Sequence, residues 1–256
     1  MTYLDELFGL DGQSAVVIGG TSGLGAAAAE ALGACGVRVI VAGRNLERAN
    51  LVASRISQAG GNAWAQPVDV LDETSVARLA AQSAELIGCV DILVNSAGIF
   101  TQQPALEITR EQWSLMMDTN VTGTFLACRE FGREMVRRGR GKIINFASTD
   151  AVVGVGGQAA YCASKGAVLQ LTRTLAVEWA KHGVCVNAIG PSDFRTPLLE
   201  PFLNNDGYRD WIESAIPKGR VGEPPELVGA LLFLASRASD MVVGHHLMVD
   251  GGRTVI

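Results

Sequence analysis

Residues 14–25 read Ser14-Ala-Val-Val-Ile18-Gly19-Gly20-Thr21-Ser22-Gly23-Leu24-Gly25. The first five are apolar and β-branched enough for a buried strand, and an Ala-rich helix is expected from about 23 to 35. Four glycines join the two. Glycine there allows a tight turn and lets the backbone approach a diphosphate closely. The helix N-terminus then offers free N–H donors and the positive end of its dipole. The spacing is G-x-x-x-G-x-G and no Gly-Lys-Ser/Thr follows, which excludes a P-loop. The plain alternative is a flexible βα turn, against which the glycine density and the strand-to-helix position both weigh.

The same alternation continues along the chain. Strands are expected at residues 37–42, 63–70, 90–95, 142–146, 184–189 and 246–249. Between them fall helices from about 45, from 72 to 87, from 109 to 138, from 160 to 182 and from 224 to 236. Asp72 is a cap for the second of these, and Thr109-Arg-Glu-Gln112 is a capping-box pattern for the third. The strands are too continuously apolar to face water on one side, which fits a parallel sheet covered on both faces. The expected fold is therefore α/β, a doubly wound Rossmann-type sheet of about seven strands with helices on both faces. No linker, repeat or low-complexity tract divides the 256 residues, so residues 1–256 read as one catalytic domain.

Composition narrows the class. The chain is 48% hydrophobic and 18% charged, with a net charge of −5, and lacks the basic face of a nucleic-acid binder. Residues 1–10 carry acids and no signal-like apolar segment. No apolar run approaches the ~18 residues of a membrane span. Five scattered cysteines without a C-x-x-C pair suggest reduced thiols in the cytoplasm, and three histidines make no metal site. The low charged fraction suits a chain that hides part of its surface in an oligomer.

Ligands of such sheets bind at the C-terminal strand ends. After the second strand stands Gly43-Arg44-Asn45, with no carboxylate for a ribose 2′-hydroxyl. Arg44 suits a 2′-phosphate, which favours NADP(H); stacked on adenine it is also compatible with NAD(H). Tyr161 and Lys165, four apart on a helix, share one face. A nearby ammonium, together with a cationic nicotinamide, is expected to pull the phenol below its free value of about 10 and make it a general acid/base. A surface Tyr–Lys pair is the bland alternative. The other tyrosines, Tyr3 and Tyr208, have no such partner.

With these motifs in order, the chain resembles a short-chain dehydrogenase/reductase over nearly its whole length. Gly19, Gly23 and Gly25 fall on that family's glycine motif, with Thr21, Ser22 and Leu24 between them. Asp69 and Val70 fall where it touches adenine. Asn95-Ser96-Ala97-Gly98 resembles its N-N-A-G segment, and Pro191 to Thr196, with Phe194, its P-G-x-x-x-T segment. The resemblance implies a catalytic set of Asn120, Ser148, Tyr161 and Lys165. In that set Ser148 binds the substrate oxygen, Tyr161 transfers the proton, Lys165 holds the ribose, and Asn120 holds a water. Bland alternatives are a buried amide for Asn120, a strand-end cap for Ser148 and a helix cap for Thr196. Ile18, Ser96 and Ser192 depart from the family pattern without removing a catalytic group.

The resemblance is nearest to the gluconate 5-dehydrogenase and polyol branch. Substrate contacts are expected from 150–158, including Asp150 and Gln158, from 100–103, and from a lid at about 196–211. Arg195 is the only nearby cation by sequence for a substrate carboxylate, so a keto-sugar or polyol is preferred over a sugar acid. A 3-oxoacyl-carrier-protein reductase, a methyltransferase and a non-catalytic dinucleotide sensor are the alternatives. The family also implies a homotetramer or dimer built on the two long helices and the C-terminal segment.

Overall fold

The computed structural model describes residues 2–255. Seven strands form one parallel sheet: β1 (Ser14–Ile18), β2 (Arg38–Gly43), β3 (Asn62–Pro67), β4 (Ile92–Asn95), β5 (Gly141–Phe146), β6 (Val184–Pro191) and β7 (His246–Val249), in the order β3-β2-β1-β4-β5-β6-β7. The helices are α1 (Tyr3–Phe8), α2 (Gly23–Ala34), α3 (Leu46–Gln58), α4 (Glu73–Ile87), α5 (Arg110–Met117), α6 (Gly123–Arg138), α7 (Ala159–Trp179), α8 (Glu200–Leu203), α9 (Asp206–Ala215) and α10 (Val228–Ala235).

Every residue of β1 is buried, because both faces of the strand meet helices. Ala15 and Val17 join a core with Leu32 of α2, Val52 of α3 and Leu231 of α10. Val16 and Ile18 face the other core, with Leu79 of α4, Phe131 of α6 and Leu175 of α7. Successive strands are added outward on one side from β1 to β3 and on the other side from β4 to β7, so β1 and β4 flank the switch point where a crevice opens at the carboxyl ends.

Three expectations need correcting at their edges. Residues 63–70 do not all make a strand. β3 stops at Pro67 because its one neighbour, β2, ends at Gly43, and Val68 N–H closes the last bond to the Gly43 carbonyl at 3.1 Å. The helix expected over 109–138 is interrupted by a π turn at Asp118–Thr122, although the Thr109–Gln112 capping box is present. The Pro224 helix starts as a 3-10 turn, with prolines in its first two positions. Two elements were not anticipated: α1, closed by a Thr2–Asp5 capping box, and the α8–α9 pair within and beyond the expected lid.

No helix among the described residues is long and apolar enough to cross a membrane. No cluster of three metal-ligating side chains occurs among them either.

Candidate active site

A cavity of about 440 Å³ lies along the carboxyl ends of β1, β2, β4 and β5. Its floor is the glycine loop. Gly19 holds φ +83°, and a Cβ there would run into the Ala97 backbone nitrogen and, at 2.6 Å, the Ser96 carbonyl carbon. A Cβ on Gly25 would meet the Gly19 carbonyl oxygen. The loop therefore folds back on the Ser96–Gly98 segment as closely as backbone can pack. Ser22, the residue before α2, makes no side-chain cap, so the first N–H groups of that helix keep their hydrogen-bonding capacity. Thr196 closes over Gly23, with its Cβ 3.2 Å from where a Gly23 side chain would begin.

Gly19, Thr21, Ser22, Gly23, Leu24, Arg44, Asp69, Val70, Ala97, Gly98, Tyr161, Lys165, Pro191 and Thr196 all line this cavity. The sequence alone did not single out Arg48, which lines it too from the first turn of α3, while Arg44 stands just before the cap. The Asn45 cap, whose Oδ1 accepts from Arg48 N–H at 2.9 Å, fixes the start of α3 and so brings both arginines to one end. Three residues expected at the cofactor lie behind the wall. Gly25 packs under Gly19. Asn95 donates to Asn145 Oδ1 at 2.8 Å and ties β4 to β5. Phe194 is buried, and its ring packs against Gly222.

The residues expected to be catalytic lie at the other end. Lys165 is buried, and its Nζ donates to the Phe146 carbonyl at 2.8 Å and lies 5.6 Å from the Tyr161 ring centroid. Burial lowers its pKa to about 8, against a rise from the Asp150 charge. Asn120 sits in the π turn. Its Oδ1 accepts from Ile99 N–H at 2.8 Å, and its Nδ2 donates to the Ile99 carbonyl at 3.1 Å and to Ser164 Oγ at 3.0 Å. Asn120 Oδ1 and Lys165 Nζ both crowd Gly98, at 3.2 and 3.7 Å from a Cβ built there. Ser148 is buried and caps a 3-10 turn, its Oγ accepting from Asp150 N–H at 3.1 Å.

Without the nicotinamide, the phenol is shifted upward. The Tyr161 pKa is raised, first by burial and then by the Asp150 charge, with a smaller rise from Asp193. The Ser148 hydroxyl opposes this. In the protein alone the tyrosine is therefore a held acid, because the residues around it remove water and add negative charge.

The expected substrate side also changes. Arg195 pairs with Glu223 at 3.1 Å and is half exposed. Arg253 takes its place as the nearby cation: its charge acts on both Asp150 and Asp193, and its guanidinium stacks 5.5 Å over Trp211. Spacing gave no signal for it. Gln158 is buried at the start of α7, with Oε1 lacking a hydrogen-bond donor. An aromatic series runs from Tyr161 to Phe100 (4.9 Å, edge-on), Phe202 (5.1 Å), Tyr208 (5.5 Å) and Trp211 (5.6 Å), so the 196–211 segment rests on Tyr161 through Phe100.

A family model described as Enoyl-(Acyl carrier protein) reductase matches residues 19–254. The gluconate 5-dehydrogenase of Gluconobacter oxydans is 39% identical over 250 residues, covering 98% of each chain. The chain belongs to the short-chain dehydrogenase/reductase family. Galactitol 2-dehydrogenase (L-tagatose-forming) of Cereibacter sphaeroides is 43% identical, covering 97% of this short-chain dehydrogenase/reductase and 98% of the relative. The crystal structure of a gluconate 5-dehydrogenase from Burkholderia cenocepacia, in complex with NADP and tartrate, superposes with a TM-score of 0.95 at 36% identity, covering 100% of both chains.

Proposed function

We propose that this chain interconverts a secondary alcohol and a ketone on a small polar substrate, a keto-sugar, sugar acid or polyol, using NADP(H) in preference to NAD(H). One observation carries the reading: Tyr161 and Lys165 line the same cavity as the glycine loop, with Ser148 beside the phenol.

The residues fit a dinucleotide. A Cβ would fill the cradle at Gly19 and Gly25, and the α2 N-terminus suits the diphosphate. Arg44 and Arg48 suit a 2′-phosphate. The bound nicotinamide supplies or accepts the hydride. Lys165 holds the ribose hydroxyls and keeps an ammonium near the ring of Tyr161. Ser148 orients the substrate oxygen. Tyr161 gives that oxygen its proton when the ketone is reduced, and takes the proton when the alcohol is oxidised. Asn120 fixes the π turn against Ile99 and so sets the floor beneath Lys165. Asp150 and Gln158 are the substrate-side contacts.

The relatives are named for substrates of different charge, gluconate and galactitol. Residues 1–256 act as one catalytic domain with a lid at about 196–211. We also place this enzyme in the cytoplasm as a homotetramer or dimer. Exposed Trp113, Leu115 and Phe125 along α5 and α6, and Val177 on α7, support a subunit contact on the long helices.

The test is absorbance of NADPH and NADH against a panel of ketoses and polyols, for wild type and Tyr161→Phe. Wild-type turnover that collapses in Tyr161→Phe supports the reading. Equal slow turnover in both proteins supports a dinucleotide sensor instead.

A further inference from the structure

Phe100 follows Ile99, the cavity-lining residue whose N–H and carbonyl both bond to the Asn120 side chain, at 2.8 and 3.1 Å. Further on, Gln103 N–H donates to the Gly157 carbonyl at 2.7 Å, just before α7 begins, and Gln102 packs against Gly157. The segment 99–103 is thus tied at one end to the π turn and at the other to the turn that leads into the Tyr161 helix. Between these ties the Phe100 ring is half-buried. Its centroid lies 4.9 Å from that of Tyr161, with 85° between the planes, and 5.1 Å from that of Phe202, with 69°. Both distances fall in the range of attractive edge-to-face pairs, roughly 4.5–7 Å.

Phe202 belongs to the lid, which has a core of its own. Leu199, Leu203, Ile212, Ile216 and Val221 pack together apart from the two cores that flank the sheet, with Phe202 and Tyr208 against them. A segment that keeps its own core can shift as a unit. Its aromatic contact with Tyr161 passes through Phe100, whose backbone is tied to the fixed part of the fold. Closing a site expels water from it. Burial is already the first cause of the raised Tyr161 pKa, and an apolar ring against the phenol is part of that burial.

We infer that Phe100 is a positioning residue for proton transfer: it holds the Tyr161 ring, keeps water from it, and carries the position of the lid to it. Seating Phe202 on Phe100 completes the apolar wall beside the phenol, so closing the lid and setting the proton donor are one event. The charges near the phenol come from Lys165 on the same helix, Asp150 after β5 and Asp193 after β6, with the Cys162 thiol next in sequence. None of these side chains is altered by a change at Phe100 or Phe202. The inference rests on the alcohol–ketone reading of the site.

The experiment follows kcat and KM for oxidation of galactitol and of gluconate with saturating NADP⁺, between about pH 6 and 10. The proteins are wild type, Phe100→Leu, Phe100→Ala, Phe202→Ala and the double alanine variant. Melting temperature and NADPH fluorescence titration show that each is folded and loaded. Phe100→Ala is expected to lower the limiting kcat about tenfold and to move the rising limb of kcat against pH down by about one unit, because water reaches the phenol. Phe100→Leu keeps an apolar side chain there and should hold the limb within about 0.3 unit of wild type. Phe202→Ala should move it the same way by about half a unit, and no further once Phe100 is alanine. Should Phe100→Ala not fold, the shift in Phe202→Ala decides. An unmoved limb with a higher KM makes Phe100 a substrate contact only, and independent, additive shifts in the double variant remove the route from the lid. Either result overturns the inference while leaving the oxidoreductase reading intact. A folded, NADPH-binding wild type that oxidises neither probe nor any polyol of the panel overturns that underlying reading, and this inference with it.

Discussion

Lys165 Nζ lies 5.6 Å from the centre of the Tyr161 ring while donating to the Phe146 carbonyl at 2.8 Å. The carbonyl at the end of β5 thus fixes the ammonium, and α7 sets its distance from the phenol. Replacing Lys165 by Met keeps the packing volume and removes the charge. Because the proton relay and the ribose contact both depend on it, kcat/KM should fall by about 10²–10⁴-fold. NADPH affinity should fall in the same variant. Steady-state kinetics with a fluorescence titration check both, and a kcat/KM within threefold of wild type would remove Lys165 from the mechanism.

The raised phenol pKa has a directional consequence. Tyr161 stays protonated through neutral pH in the protein alone, so it is ready to donate in ketone reduction. Alcohol oxidation needs the deprotonated form. Its kcat/KM should climb with pH, close to tenfold per unit below the apparent pKa of the site. Reduction should stay level and then decline as Lys165, at about 8, loses its proton. Rates in both directions between pH 6 and 10 test this. An oxidation rate independent of pH over that span would mean another group takes the proton.

Cofactor preference should divide between Arg44 and Arg48. Both are exposed, so each charge-assisted contact to a 2′-phosphate is at the weak end of the usual range, about 1.5 kcal/mol or roughly tenfold in affinity. Arg48→Ala should raise the Kd for NADPH by about that factor and leave NADH within twofold. Isothermal titration of both cofactors against Arg44→Ala, Arg48→Ala and the double variant gives the answer. Equal losses for NADPH and NADH would show adenine stacking instead.

The glycine loop, the seven strands and the Tyr161–Lys165 pair were legible because each is local: period, turn residues and helical spacing fix them within a few residues of one another. Arg48 was also within reach, since Asn45 reads as a helix cap and puts a second arginine in the first turn after Arg44. Asp193 and Arg253 were not. Their meeting depends on how the chain after β6 and the turn after β7 pack around Trp211, and no spacing encodes that. The rise of the Tyr161 pKa in the protein alone was not legible for the same reason, as it depends first on burial and then on Asp150 and Asp193. The interruption of the 109–138 helix comes from Asn120 bonding to Ile99, a contact between segments that the capping box at Thr109 cannot report.

Backbone geometry at Gly19 makes a separate prediction. With φ +83°, an alanine adopts a left-handed conformation at a cost of about 1–2 kcal/mol. Its Cβ also strikes Ala97 and Ser96, the far wall of the crevice. Gly19→Ala should therefore weaken NADPH binding by more than tenfold, about 1.4 kcal/mol, while Gly12→Ala, also at positive φ but with nothing near its Cβ, should change only stability. A fluorescence titration separates the two. Equal NADPH affinity in the two variants would mean that the Gly19–Ala97 approach does not shape the diphosphate site.

Stability should fall on acidification through His246. Burial, with the charges of Arg173 and His245, lowers its pKa to about 4, below the unfolded value of about 6.5. Neither ring nitrogen has a hydrogen-bond partner, and the ring packs against Gly190 of β6. Between those two pH values the unfolded chain binds a proton that the native chain refuses, so stability is lost as pH drops from 6.5 towards 4. Asp193, raised to about 6, acts in the opposite sense over a lower but overlapping window, from its unfolded 3.8 upward, because its protonated form suits the folded state. Melting temperatures at pH 7.5, 6 and 5 for wild type, His246→Leu and Asp193→Asn separate the two. The acid-induced drop should shrink in His246→Leu and grow in Asp193→Asn; parallel curves in all three proteins would show that neither group governs the response.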